Sequence, residues 1–250
     1  MNNLRLLVTV AALAISGSGC VILFNMPANR FVSPESQEDF GHGHVDLGVG
    51  GSEQVVLSPN SETVFANTTS PAMIRANAQS RFAAEFGVIE RLDVSLRGSF
   101  ASNEPAFIEG KYQLIGPSRQ KADAGDFSLA GTLAYGGFNG TGDPSDTPAI
   151  YKIRVGAIDT ALIGGFRAAK PVLIYGGYFY TLFLYSGDQT LTSTAAQSFD
   201  GDAHRSGLNL GVELGEDAFR VKLEIAQSWA TAEQGSASRP YFGVVGAFYF

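Results

Sequence analysis

The chain is short of cysteine, of charge and of long apolar runs. Its single cysteine excludes an internal disulfide, and its few Cys and His residues have no zinc-site spacing. Charged residues make up 16% of the sequence, against roughly 25% in soluble domains, so a fully hydrated surface is not expected. Beyond residue 24 no apolar run reaches the roughly 18–20 residues of a membrane-spanning helix. This combination is typical of a transmembrane β-barrel.

The charge that remains is acidic. The formal net charge is −7, whereas a nucleic-acid-binding domain needs a basic surface, so no nucleic-acid partner is expected. No phosphate-binding loop or dinucleotide fingerprint occurs, and we expect no cofactor.

The N-terminus predicts export. Arg5 precedes an apolar core at residues 6–15, and the small residues 16–19 lead directly to Cys20. This arrangement resembles the bacterial lipoprotein cleavage site, although Gly17 stands where that family usually has Leu. The resemblance implies a signal peptide at residues 1–19 and a lipidated (palmitate-bearing) Cys20.

Two alternatives to lipidation remain. The signal peptide can be of the ordinary type and be cut elsewhere, or residues 4–24 can form an uncleaved anchor helix. Residues 20–39 lack periodicity and are predicted to be a lipid-tethered periplasmic linker, followed by a barrel over residues 40–250.

Beyond residue 40 the sequence alternates apolar and polar residues in segments long enough to be membrane-spanning strands. They lie at about 41–50, 77–88, 92–101, 105–116, 126–138, 150–166, 171–186, 206–215, 218–230 and 240–250. Long gaps, such as 187–205, mostly alternate with short ones, as outer-membrane barrels require. The sequence predicts an all-β, transmembrane, antiparallel up-and-down β-barrel of about ten strands. Eight or twelve strands remain possible, because residues 54–57 can pair with 63–66.

The last strand ends on an aromatic residue. Phe250, Phe248 and Phe242 share one face of an alternating segment. A chain that ends this way resembles the bacterial outer-membrane β-barrel proteins, whose last strand carries an assembly signal. The resemblance implies that Phe248 and Phe250 form that signal, that the barrel-assembly machinery and outer-membrane lipids are partners, and that the protein resides in the outer membrane.

The apolar face of the strands is predicted to contact lipid. The other face mixes charges of both signs with many small residues, which suit a crowded lumen better than a wet exterior. Segment 150–166 does not follow this assignment of faces. Its apolar residues Tyr151, Ile153, Val155 and Ala157 are expected to face lipid, which takes Asp159 outward too unless a bulge resets the register.

The inward charges nearly balance, which predicts a lumen plugged by salt bridges. The predicted network comprises Asp46, Arg81, Glu85, Asp93, Arg97, Glu109, Lys111, Lys152, Arg154, Glu213, Arg220, Lys222 and Glu224. A plugged barrel indicates a structural or surface-interaction role, with surface ligands as partners. The alternative is a narrow channel for small solutes.

An enzymatic role is the second alternative. His204-Arg205-Ser206 resembles the H-x-S pair of outer-membrane lipid A deacylases, which implies Ser206 as nucleophile and His204 as base. The chain departs from that family at Gly207, where Asn is expected. His42, His44 and Asp46 can share a face, but a polar strand end explains them better than a metal site, and no metal is expected.

Overall fold

A computed structural model describes most of the chain. The described residues are 22–38, 40–57, 73–100, 104–142, 149–191, 197–216, 218–232 and 235–250. The predicted signal peptide and Cys20 lie outside them, so lipidation stays a prediction. Within the described part of the chain, no helix is long and apolar enough to cross a membrane.

Eleven strands make up the described structure. They are β1 (Ile22–Pro27), β2 (Gly43–Leu57), β3 (Met73–Ile89), β4 (Leu92–Ser99), β5 (Ala106–Ile115), β6 (Phe127–Gly142), β7 (Ala149–Ala169), β8 (Val172–Leu191), β9 (Gln197–Glu216), β10 (Phe219–Ala232) and β11 (Gly235–Tyr249). Most of the predicted 187–205 loop is therefore strand, because β8 and β9 continue as a paired ribbon up to Gln189 and Gln197.

Strands β2 to β11 form a closed antiparallel barrel. Each pairs with the next along the chain, and β11 returns to β2, with Tyr249 opposite His44 and Val244 opposite Val49. The predicted ten-stranded, all-β, up-and-down barrel is confirmed. β11 pairs with β2 from Val244 to Tyr249, and toward the loop end β2 pairs with β1 instead. Closure of the sheet is what permits it to exist in lipid.

The outer face of the barrel is apolar. Large hydrophobic side chains that point outward include Leu47, Leu96, Ile108, Leu133, Ile158, Leu162, Leu208, Leu210, Ile225, Phe242 and Phe248, most of them about half exposed. The alternate positions on the same strands are buried and mostly polar or small. This is the inverse of a water-soluble barrel, so hydrocarbon must surround it. The protein is a transmembrane barrel of the outer-membrane type.

The two ends of the barrel differ. At one end, here called the turn end, main-chain hydrogen bonds connect Gly43 with Phe250, Gly87 with His42, and Gly215 with Pro171. The short connections at Glu90-Arg91 and Lys170-Pro171 lie at this end. The opposite end, the loop end, carries the β2–β3, β4–β5, β6–β7, β8–β9 and β10–β11 connections.

Residues 22–38, here called the strap, run through the inside of the barrel. β1 pairs with the upper part of β2, from Ile22 opposite Leu57 to Pro27 opposite Ser52. The chain therefore enters at the loop end and descends to the turn end. Residues 24–37 are all buried. The interpretation of residues 20–39 as a periplasmic linker is wrong for the strap, whose polar groups bind the barrel wall.

Strand β7 faces opposite to the prediction. Ile153, Val155, Ala157 and Asp159 are buried inside the barrel, and Ile158 and Leu162 face outward. The register with β6 is continuous through this region, so no bulge is needed. Apolar residues point inward here because the loop end of the lumen is itself apolar.

Candidate functional site

The middle of the lumen is organised around two carboxylates. Asp159 on β7 and Glu109 on β5 both bind Arg30 of the strap and Arg97 of β4. Arg97 Nη2 lies 2.7 Å from Asp159 Oδ1, and Arg30 Nη2 lies 2.9 Å from Glu109 Oε2. The Thr181 hydroxyl donates to the other Asp159 oxygen at 2.6 Å. Two acids and two bases thus neutralise one another where water has little access.

The main chain of the strap is held by β10. The amides of Arg30 and Phe31 donate to the Glu224 carboxylate at 2.8 and 2.9 Å. The Lys222 ammonium donates to the Phe31 carbonyl at 3.1 Å and to Asp46 at 2.7 Å. These bonds hold Phe31 at a φ of 56°, which a bulky residue rarely adopts. The strap therefore has one defined conformation at this level.

Nearer the turn end, Lys111 of β5 ties the strap to two strands. Its ammonium donates to the Ser33 and Glu35 carbonyls at 3.1 and 2.8 Å and lies 2.7 Å from Glu85. The Glu35 carboxylate binds the Arg167 guanidinium of β7. Buried backbone groups that lack a sheet partner need such side-chain partners. Barrel side chains supply them here.

The loop end of the lumen is closed by apolar packing. Phe24 and Met26 of β1 are fully buried in a cluster that includes Phe107 and Phe183. The Phe24 ring lies 5.9 Å from that of Phe183 and 5.6 Å from that of Tyr185, between ring centres. Apolar contacts of this kind explain why β7 presents Ile153 and Val155 to the interior.

At the turn end, Arg119 folds into the mouth of the barrel. Its guanidinium lies 2.6 Å from Glu213, which also binds Arg220 at 3.2 Å, and packs 4.1 Å from the Tyr249 ring centre. Burial lowers the pKa of Arg119, but the adjacent Glu213 carboxylate more than offsets this and raises it. Arg119 is therefore a permanent cation in this mouth.

Most of the predicted network lies in the lumen. The buried members are Asp46, Arg81, Glu85, Asp93, Arg97, Glu109, Lys111, Glu213, Arg220, Lys222 and Glu224. Lys152 and Arg154 are exposed on the outer side of β7, so their assignment to the lumen is wrong. The error follows from the inverted faces of that strand.

Several lumen charges were missed by the sequence interpretation. Asp159, Arg167 and Arg205 on the barrel, and Arg30 and Glu35 on the strap, are all buried. Arg205 could have been predicted from the alternation. It lies on the same face of β9 as Asn209 and Glu213, and one residue before the predicted start of that strand. Its guanidinium packs on the Phe179 ring at 4.8 Å. The strap residues had no such signal, because their segment does not alternate.

The predicted catalytic pair lies on the outer face of β9. His204 and Ser206 flank the inward Arg205, and the exposed Asp202 precedes them on the same face. No hydrogen bond joins the His204 ring to the Ser206 hydroxyl, both of which are described. Leu208, Leu210 and Leu214 continue this face toward the turn end. The pair therefore lies where the apolar surface of β9 ends.

The other predicted positions are also accounted for. His44 and Asp46 are buried beside Lys222, whereas His42 is exposed, and the described residues contain no group able to hold a metal. Phe248 and Phe250 point outward, with the Phe248 ring 5.0 Å from that of Phe219. They lie at the β11–β2 seam, where the barrel closes.

Solved structures of outer-membrane proteins resemble this barrel. The attachment invasion locus protein Ail of Yersinia pestis is 10% identical, with 84% of this chain and 99% of that chain covered and a TM-score of 0.38. Neisserial surface protein A is 12% identical, with 84% and 97% covered and a TM-score of 0.28. OmpT of Vibrio cholerae is 10% identical, with 93% and 100% covered and a TM-score of 0.25. These similarities concern the β-barrel fold alone. No protein-family model and no curated protein matches the chain.

Proposed function

We propose that this protein is an outer-membrane barrel with a structural or surface-interaction role, whose lumen is closed to solutes by its own strap. One observation carries the proposal: residues 24–37 are buried in the lumen and bind charged side chains of β4, β5, β7 and β10. Side chains alone just fill a barrel of about eight strands. A ten-stranded barrel is wider, and the strap occupies the added space.

The same contacts argue against an open channel. An ion that crosses the lumen needs a continuous polar path with sites that it can leave again. Here Arg30 is bound by Glu109 and Asp159, and the apolar cluster around Phe24 and Met26 lies between this ion-pair layer and the loop end. Conduction therefore requires the strap to leave.

Single-channel recording in planar bilayers tests this proposal. We expect the purified full-length protein to be silent. The double charge reversal Arg30→Glu with Glu35→Arg sets like charges against Asp159, Glu109 and Arg167, and it is expected to produce discrete conductance steps. A second variant that lacks residues 22–38 is expected to conduct as well.

The control is Arg154→Glu, which reverses an exposed charge on the outer side of the barrel. It is expected to stay silent. Steady unit conductance of the unaltered protein would instead support the narrow channel and reject the plug. Heat-modifiable gel mobility verifies that each variant has folded as a barrel.

A lipid-modifying hydrolase is the second candidate, supported by the position of Ser206. Its neighbours in register are Tyr180 on β8 and Trp229 on β10, both exposed aromatic residues of the kind found at membrane interfaces. Asp202, His204 and Ser206 follow one another at alternate positions on that face. Their position beside two interfacial aromatic residues supports this candidate, because lipid ester groups lie near the same interface.

Mass spectra of lipid A from cells that produce the protein test this candidate. Ester cleavage that is lost on Ser206→Ala, and kept on Ser198→Ala of the same strand, is the expected result for a Ser206 nucleophile. Intact lipid A in cells that produce the unaltered protein would exclude the hydrolase function.

A further inference from the structure

The turn end of the barrel contains a cavity of about 480 Å³. It lies within the size range of small-molecule sites. Its wall combines Gln37, at the end of the strap, with Arg119, Arg167, Lys170, Arg220 and Tyr249 of the barrel. The cavity thus opens from the mouth of the lumen, beneath the end of the strap, and not from the lipid-facing side.

The side chains of this wall are basic. Arg119, Arg167, Lys170 and Arg220 line it, and no Asp or Glu side chain does within the described wall. The carboxylate of Glu35, which is not part of the wall, neutralises Arg167. A single carboxylate, that of Glu213, serves both Arg119 and Arg220. With the exposed Lys170, the four basic side chains of the wall outnumber these two carboxylate partners.

Several guanidinium donors in this wall are unused. Nε and Nη2 of Arg119 and Nε of Arg220 are buried without a hydrogen-bond partner. Arg119 is about nine-tenths buried, and its packing on Tyr249 fixes the direction of its free donors. A buried charged donor without an acceptor is costly. These donors have almost no exposed surface, so an acceptor in the cavity reaches them when the Arg119 side chain shifts toward it.

We propose that this cavity binds a phosphate group in its dianionic form. Phosphate carries a charge of about −1.5 to −2 at neutral pH, which suits a wall of several cationic side chains better than the single charge of a carboxylate. Its oxygens also match the fork of a guanidinium, which binds phosphate through two parallel hydrogen bonds. A soluble phosphate monoester and the headgroup of phosphatidic acid, which is also a phosphate monoester, offer the same chemistry.

Isothermal titration of the full-length protein in an uncharged maltoside detergent tests the proposal. One arm uses inorganic phosphate and the other uses dihexanoyl phosphatidic acid. Arg119→Lys keeps the charge but loses the fork, and it is expected to weaken binding about tenfold. Lys170→Gln changes only an exposed side chain, so it folds normally, and it is expected to weaken binding about threefold.

Lys121→Gln is the matched control, because Lys121 lies in the same connection as Arg119 but outside the cavity wall. Its affinity is expected to equal that of the unaltered protein. Saturable binding of inorganic phosphate supports the site with a soluble source, and binding of the lipid alone supports it with a headgroup source. Binding of neither overturns the proposal, as does equal affinity in Lys170→Gln and Lys121→Gln.

Discussion

Asp159 is the residue on which most of the central contacts converge. It accepts hydrogen bonds from Arg30, Arg97 and Thr181, and only 1% of its surface is exposed. A buried acid that is paired with bases adds little to the net stability of a protein. Its removal is costly, because it leaves buried cations without a counter-charge. The two guanidinium groups would then have only Glu109 to share.

We therefore expect Asp159→Asn to lower the free energy of unfolding by roughly 3–5 kcal/mol. Urea titration in lipid vesicles, followed by the fluorescence of Trp229, the only tryptophan, measures this change. Asp188→Asn, an exposed acid on β8, is the control and is expected to change the value by less than about 0.5 kcal/mol. Equal effects of the two substitutions would contradict the central role of Asp159.

Strand β8 packs aromatic rings over small residues of its neighbour β9. The register places Tyr175 opposite Gly211, Phe179 opposite Gly207 and Phe183 opposite Ala203. A Cβ at Gly211 would collide with the Tyr175 ring. Glycine is therefore required here for the close approach of a ring and not for an unusual backbone angle.

Gly211→Ala is expected to destabilise the barrel by about 1–3 kcal/mol, because Tyr175 is buried and must shift. Gly156→Ala on β7 is the paired control, since a Cβ there meets nothing within 4 Å. The midpoint of heat-modifiable gel mobility compares the two variants. A midpoint of Gly211→Ala at or above that of Gly156→Ala would show that the ring adapts freely.

Strands with one apolar and one polar face were predictable from the sequence. In β10 the alternation of Val221 and Leu223 with Lys222 and Glu224 determines both the strand and its orientation. In β7 each face carries charged residues, Lys152 and Arg154 on one and Asp159 and Arg167 on the other, so alternation alone could not identify the interior. The decisive residue was Asp159, whose inward position needs the partner Arg30.

The strap was beyond the reach of the same reasoning. Residues 28–38 have no periodicity, because they form neither a strand nor a helix and take their hydrogen bonds from barrel side chains. By composition alone, a segment of this kind cannot be distinguished from an exported linker. Its position depends on long-range pairs such as Glu35 with Arg167, which no local pattern contains.

For the whole molecule, the direction of the strap determines where the N-terminal part of the chain emerges. Ile22 lies opposite Leu57 at the loop end, whereas Phe250 lies at the turn end beside Gly43. In outer-membrane barrels the longer connections face outside the cell, so an epitope inserted before Ile22 is expected to be labelled by antibody on intact cells. The same epitope inserted between Lys170 and Pro171 is expected to need permeabilised cells. The reverse pattern would show that the strap does not traverse the lumen.

Because the strap passes through the barrel that the same chain forms, it also constrains the order in which the protein assembles. The strap precedes every barrel strand, and β2 and β11 form the last contact that closes the circle. Either the barrel closes around the strap, or the strap enters afterwards through an open end, because the closed wall offers no lateral entrance.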